Sequence, residues 1–134
     1  MKWIPDETSR FRYRLDYSYR EIDVICERRM LTFLSASHGC VAFPVDTEDL
    51  KKLIESDIED LDQFFVFDHT DIEGATEWFP DQLPRVKIVS WLSESPTYEN
   101  RLRSTITHEH GHVLLHTALF KRPYAHDGGV LKAS

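Results

Sequence analysis

The sequence predicts a single α+β domain, with helices packed on a small twisted sheet of antiparallel or mixed strands. Three observations predict it. Apolar residues recur at three- and four-residue steps within 18–37, 47–58 and 95–120, the period of helices with one buried face. Short segments rich in aromatic and β-branched residues lie between the second and third of these stretches, as strands would. The chain has 134 residues, 41% of them hydrophobic and 12% aromatic, enough to close one core but not two.

Each element has its own signal. Residues 1–17 mix Trp3, Phe11, Tyr13 and Tyr17 with arginines and show no clean period, so an irregular arm is expected. Ile22, Ile25, Met30, Phe33 and Leu34 then mark a helix over 18–37, with Gly39 as its stop. Asp46 or Thr47 is expected to cap a second helix whose first turn is acidic and whose apolar side is Leu50, Leu53, Ile54 and Ile58. Residues 64–68 read as a strand. Residues 76–79 and 85–91 flank the turn-rich stretch Pro80-Asp81-Gln82-Leu83-Pro84 and are expected to pair as an antiparallel hairpin. Pro84 fits the start of a strand, where a missing donor is tolerated. Ser95-Pro96 then opens a helix running to about Phe120.

Charge and composition exclude several classes. Residues 46–81 hold thirteen carboxylates against two lysines, inside a chain of net charge -7. Phosphate backbones repel such a chain, so no direct nucleic-acid partner is expected, and the acidic run reads as a solvated face. No apolar run approaches the roughly 20 residues of a membrane helix. The start of the chain, MKWIPDETSRFRYR, has no apolar stretch of the signal-peptide kind, so a cytoplasmic location is expected. Cys26 and Cys40 are too few for a thiolate zinc ribbon and are expected to be small buried thiols.

The chemistry gathers in one stretch. Four of the seven histidines fall in Thr107-His108-Glu109-His110-Gly111-His112-Val113-Leu114-Leu115-His116, which contains H-E-x-x-H. A chain of this composition would show that pattern by chance roughly 0.03 times. At about 100° per residue, His108 and His112 project within about 40° of each other, one turn apart, so both imidazoles can reach one metal ion. Glu109 points about 60° to the side, beside the ion rather than on it. A zinc ion held this way lowers the pKa of a bound water toward about 7, and Glu109 is placed to take the proton and pass it to a leaving amine.

The neighbouring residues complete the picture. Leu102, Ile106, Val113 and Phe120 form an apolar stripe, and Leu114 and Leu115 add apolar surface on other sides, so the helix is expected to be mostly buried. Gly111, costing about 1 kcal/mol relative to alanine mid-helix, suggests close approach by a strand. His110 faces away from the ion and is expected to be solvated or hydrogen-bonded. His116 lies about 12 Å from His108 by rise alone, which makes it a core or supporting residue rather than a third ligand.

The segment from Glu99 to His116 resembles the active-site helix of the ImmA/IrrE family of bacterial metallopeptidases, with its T-x-x-H-E-x-G-H-x-x-x-H pattern. The upstream helix and the hairpin ending in Val86-Lys87-Ile88-Val89 agree with that resemblance. It implies a zincin-like fold of the gluzincin sort, His108 and His112 as zinc ligands, and Glu109 as the catalytic acid-base. It further implies an endopeptidase that cleaves a helix-turn-helix transcriptional repressor. The family's third ligand, a glutamate on a further downstream helix, has no counterpart here. After Glu109 the one acidic residue is Asp127, beside His126 in a glycine-containing loop. The expectation is a chain shortened relative to its relatives, with Asp127 or His126 as the substitute ligand to consider. A second reading is a module that binds a transcription regulator on the same scaffold without cutting it.

Overall fold

The computed structural model describes residues 2–7, 13–120 and 131–133. They form an α+β domain of three helices and two sheets.

Residues expected to form an irregular arm pair instead as two short strands, β1 (Lys2–Pro5) and β2 (Tyr13–Asp16), antiparallel with Trp3 opposite Leu15. What the periodicity missed is that Leu15 alone is buried, so the ribbon is held by cross-strand pairs and carries no long alternating pattern.

Helix α1 (Tyr19–His38) follows the expected bounds. The Ser18 side chain accepts a hydrogen bond from the Glu21 N–H at 3.2 Å. Gly39, at φ 73°, ends the helix and donates its N–H to the Ser35 carbonyl at 2.9 Å, a left-handed cap that glycine adopts without strain. Of the twenty residues of α1, Leu34 alone is fully buried.

Helix α2 (Thr47–Glu55) begins after Asp46, whose side chain makes no capping bond. Thr47 ties α2 to the third helix, its hydroxyl donating to Glu99 at 2.8 Å and accepting from Arg103 at 3.0 Å. Cys26 is half-buried and Cys40 exposed, contrary to the expected burial of both, because Cys40 falls in the link that follows the Gly39 cap.

The main sheet has four strands in the order β3 (Asp60–Phe65), β5 (Arg85–Val89), β4 (Gly74–Trp78) and β6 (Leu131–Ala133). It is mixed: β3 runs parallel to β5, whereas β4 is antiparallel to both β5 and β6. The strand expected at 64–68 lies earlier. Pairing with β5 starts at Asp60↔Arg85 and Leu61↔Val86, and the register breaks between Asp62 and Phe65. There the Asp62 carboxylate accepts from the Phe64 N–H at 2.9 Å, and the aromatic residue that suggested the strand stays exposed. The hairpin of β4 and β5 forms as expected, with Thr76 opposite Val86. Buried Pro84 precedes β5, its carbonyl accepting from the Glu59 N–H at 2.8 Å. Residues 90–93 leave the strand as a 3₁₀ turn, so the second arm of the hairpin ends two residues before Trp91.

A second short 3₁₀ turn, Pro96–Tyr98, capped by Ser95, leads into α3 (Glu99–Phe120). Ile54, Val86, Ile88, Leu92 and Ile106 form the heart of the core between α2, the sheet and α3. Trp78 is also wholly buried, and its indole N–H donates to Thr117 at 3.1 Å. No helix among the described residues is long and apolar enough to cross a membrane.

Candidate metal site

Helix α3 brings His108, Glu109 and His112 together, their candidate ligand atoms all within 4.8 Å of one another. The helix is not mostly buried, as its apolar content suggested. Leu102, Ile106 and Val113 are buried, whereas His112 is half-buried and His108 is exposed, lining a cleft that opens along one side of α3. The cleft, of about 480 Å³, has Asp71, Ile72, Glu73 and Gly74 on one wall and Arg101, Ser104, Thr105 and His108 on the other. An Arg101–Glu73 ion pair joins the two walls.

The two imidazoles meet the requirement of a shared ion. His108 Nε2 and His112 Nε2 are 3.2 Å apart, with ring planes at 87°. Two ligands at 2.0–2.1 Å from a tetrahedral zinc stand about 3.3 Å from each other, so the pair fits that ion with little adjustment.

His116 stands behind His112, its Nδ1 2.9 Å from His112 Nδ1. When His112 keeps the Nε2 lone pair for a metal, its proton sits on Nδ1 and donates to His116, which fixes the tautomer and the ring. Burial, with the neighbouring His112 and His108, pushes the His116 pKa down and keeps that ring neutral.

Glu109 is 1% exposed. The Thr76 hydroxyl, itself buried on β4, donates to Glu109 Oε2 at 2.6 Å. Burial pushes the Glu109 pKa up, against the opposing effects of Thr76 and His108. A carboxyl so placed holds a proton more readily than one in water. Thr76 was not among the sequence-derived candidates, although strand alternation puts it on the same face of β4 as Gly74 and Trp78, toward α3.

The close approach assigned to Gly111 occurs at Gly74 instead. A Cβ on Gly111 would meet nothing within 4 Å, whereas one on Gly74 would stand 3.0 Å from Glu109 Oε1 and from Thr105 Cγ2. The strand therefore contributes its glycine to the contact, and the helix its carboxylate.

His110 is hydrogen-bonded, as expected for a residue facing away from the ion, with its Nε2 2.9 Å from Asp57 Oδ2. Arg29 Nε lies 3.0 and 2.9 Å from the two oxygens of the same carboxylate. This cluster joins α1, the end of α2 and α3. Burial alone would raise the Asp57 pKa, but the bonds from Arg29 and His110 outweigh it and hold the group below its ordinary value. A depressed carboxyl pKa contributes stability above the unfolded value, about 3.9, and loses it as pH falls through the lower folded value. Asp57→Asn is expected to cost about 1–2 kcal/mol at pH 7, with the difference shrinking below about pH 4. Urea melts of both proteins at pH 7 and pH 3 check this, and an equal loss at both values would contradict it.

His126 and Asp127, the substitute ligands considered from the sequence, lie outside the described residues. Comparison with family models, with curated proteins and with solved structures finds no match to this chain.

Proposed function

We propose that the protein is a zinc-dependent metallo-endopeptidase with a zincin-like fold of the ImmA/IrrE type, acting in the cytoplasm on a helix-turn-helix transcriptional repressor. The observation that carries the zinc site is the 3.2 Å separation of the His108 and His112 Nε2 atoms, with the buried Glu109 carboxylate beside them. The repressor as substrate rests on the resemblance of the active-site helix.

In this reading His108 and His112 hold the ion and His116 orients His112. Zinc supplies Lewis acidity toward a water molecule and toward the peptide carbonyl. Glu109 accepts the water's proton and delivers it to the departing amine, a role suited by a pKa raised through burial. Thr76 occupies Oε2, so the transferred proton resides on Oε1. A substrate strand would lie against residues 71–75, since β6 pairs with residues 76–78 of β4.

A second reading is favoured by the donor set. The metal-capable group of the described residues offers two imidazoles and one carboxylate, and Glu109 used as a ligand no longer serves as a base. The protein would then bind its regulator and leave it intact.

Native mass spectrometry after zinc addition is the direct test. The expected result is one zinc per chain, lost in His112→Ala, together with cleavage of a helix-turn-helix repressor by the zinc-loaded protein. Failure of the unaltered chain to take up zinc would overturn the metal site, and zinc uptake without cleavage would favour the second reading.

A further inference from the structure

The side of α3 turned away from the metal cleft faces a second concavity, a groove of about 420 Å³ between α1, α2 and α3. We propose that this groove is the docking site for a helical segment of a partner protein, apolar on one face and basic along its edge.

Three observations carry this. The floor is apolar and drawn from all three helices: Met30 of α1, Leu50 and Leu53 of α2, Ile106 of α3. The unbranched, polarizable methionine adapts to different occupants. The charged lining residues are Asp23 and Glu27 of α1, both exposed. Among the described residues neither carboxylate has an ion pair, and at i,i+4 spacing they stand about 6 Å apart along one rim. That rim attracts lysine or arginine spaced one helical turn apart. Gly111 completes the pattern, because it lines the groove and a side chain there would point into open space. No neighbour in the described chain requires a glycine at this point. Bare backbone mid-helix, at about 1 kcal/mol relative to alanine, allows an outside element to approach closely.

The walls decide the partner's conformation. All three are helices, whose backbone groups are already bonded internally, so there is no free sheet edge for a strand to extend. Recognition falls to side chains inserted between helices, which an amphipathic helix supplies from i, i+3 or i+4, and i+7. The α1 wall is suited to such an insertion, with Leu34 its one fully buried residue.

The test uses an 18-residue amphipathic helix of leucine and lysine, with a control in which glutamate replaces every lysine. Binding is followed by fluorescence anisotropy and mapped by amide shifts in the full chain, without added metal. The lysine peptide is expected to bind at micromolar concentration and to shift residues of α1, α2 and the 106–114 stretch of α3. Asp23→Lys with Glu27→Lys should weaken it at least tenfold, as should Gly111→Leu, which fills the floor. A matched reversal away from the groove, Asp68→Lys with Asp81→Lys, should leave the affinity within twofold. Equal binding of the glutamate peptide would overturn the proposal. So would an equal loss in the two charge reversals, shifts centred elsewhere, or no binding at millimolar peptide. Because no metal is added, the outcome is independent of the peptidase reading.

Discussion

Under the proposed function, replacing Glu109 with glutamine is expected to cut peptide hydrolysis by about 10²–10⁴-fold while one zinc per chain is retained, because the proposed proton carrier is removed and the imidazoles are not. The same change is expected to stabilise the metal-free protein. Burial raises the Glu109 pKa, so the ionised carboxylate costs folding free energy at pH values above its unfolded range, and protonation relieves that cost. Glutamine removes the charge and still accepts the Thr76 hydroxyl. A gain of about 1 kcal/mol, or about 4 °C in Tm for a chain of this size, is the expected scale at pH 7. As pH falls and Glu109 takes up its proton, the gain should vanish. Turnover assays paired with thermal melts of the apo forms check both halves. Undiminished cleavage in the variant would sink the role of Glu109 as base, and a lowered apo Tm at pH 7 would contradict the cost of its charge.

Two identical substitutions are expected to act with opposite sign. Gly74→Ala pushes a methyl group to 3.0 Å from Glu109 Oε1 and Thr105 Cγ2 and 3.1 Å from Glu109 Cγ. Glu109 has no easy retreat, since Thr76 holds its other oxygen and the side chain is buried. Gly74→Val enlarges the clash and is expected to cost about 1–3 kcal/mol, with hydrolysis falling as the carboxylate is displaced. Gly111→Ala meets no neighbour within 4 Å and gains helix propensity of up to about 1 kcal/mol. Equilibrium denaturation of the variants separates these cases. Destabilisation at both positions would contradict the assignment of the close contact to Gly74.

The helices were legible because their signals are local. Ser18 and Gly39 bracket α1 in the sequence as they do in the fold, and H-E-x-x-H needs only helical geometry to bring His108 and His112 together. The hairpin of β4 and β5 was legible for the same reason, its turn residues lying between its arms. What escaped depends on partners distant in sequence. The start of β3 at Asp60 is set by Arg85 and Val86 of β5, not by the aromatic residues that suggested 64–68. Strand β6 has no signal of its own and is defined by Trp78, Glu77 and Thr76. Thr76 looks like an ordinary strand threonine until the hairpin faces α3. Gly111 was misread because a mid-helix glycine need not mark a close neighbour, and a Cβ there would meet nothing within 4 Å.

Strand β4 meets α3 at three places in the same order along both elements: Gly74 against Thr105 and Glu109, Thr76 with Glu109, and Trp78 with Thr117. Alternate residues of one strand are thus keyed to successive levels of one helix, and neither can slide without breaking a buried hydrogen bond. For hydrogen exchange this makes the two a single opening unit. The amides around Glu109 should exchange at the slow rate of Thr76 and Trp78, through cooperative unfolding, while those of α1 exchange faster. The order of the helix that carries the candidate metal site is then set by the stability of the whole fold.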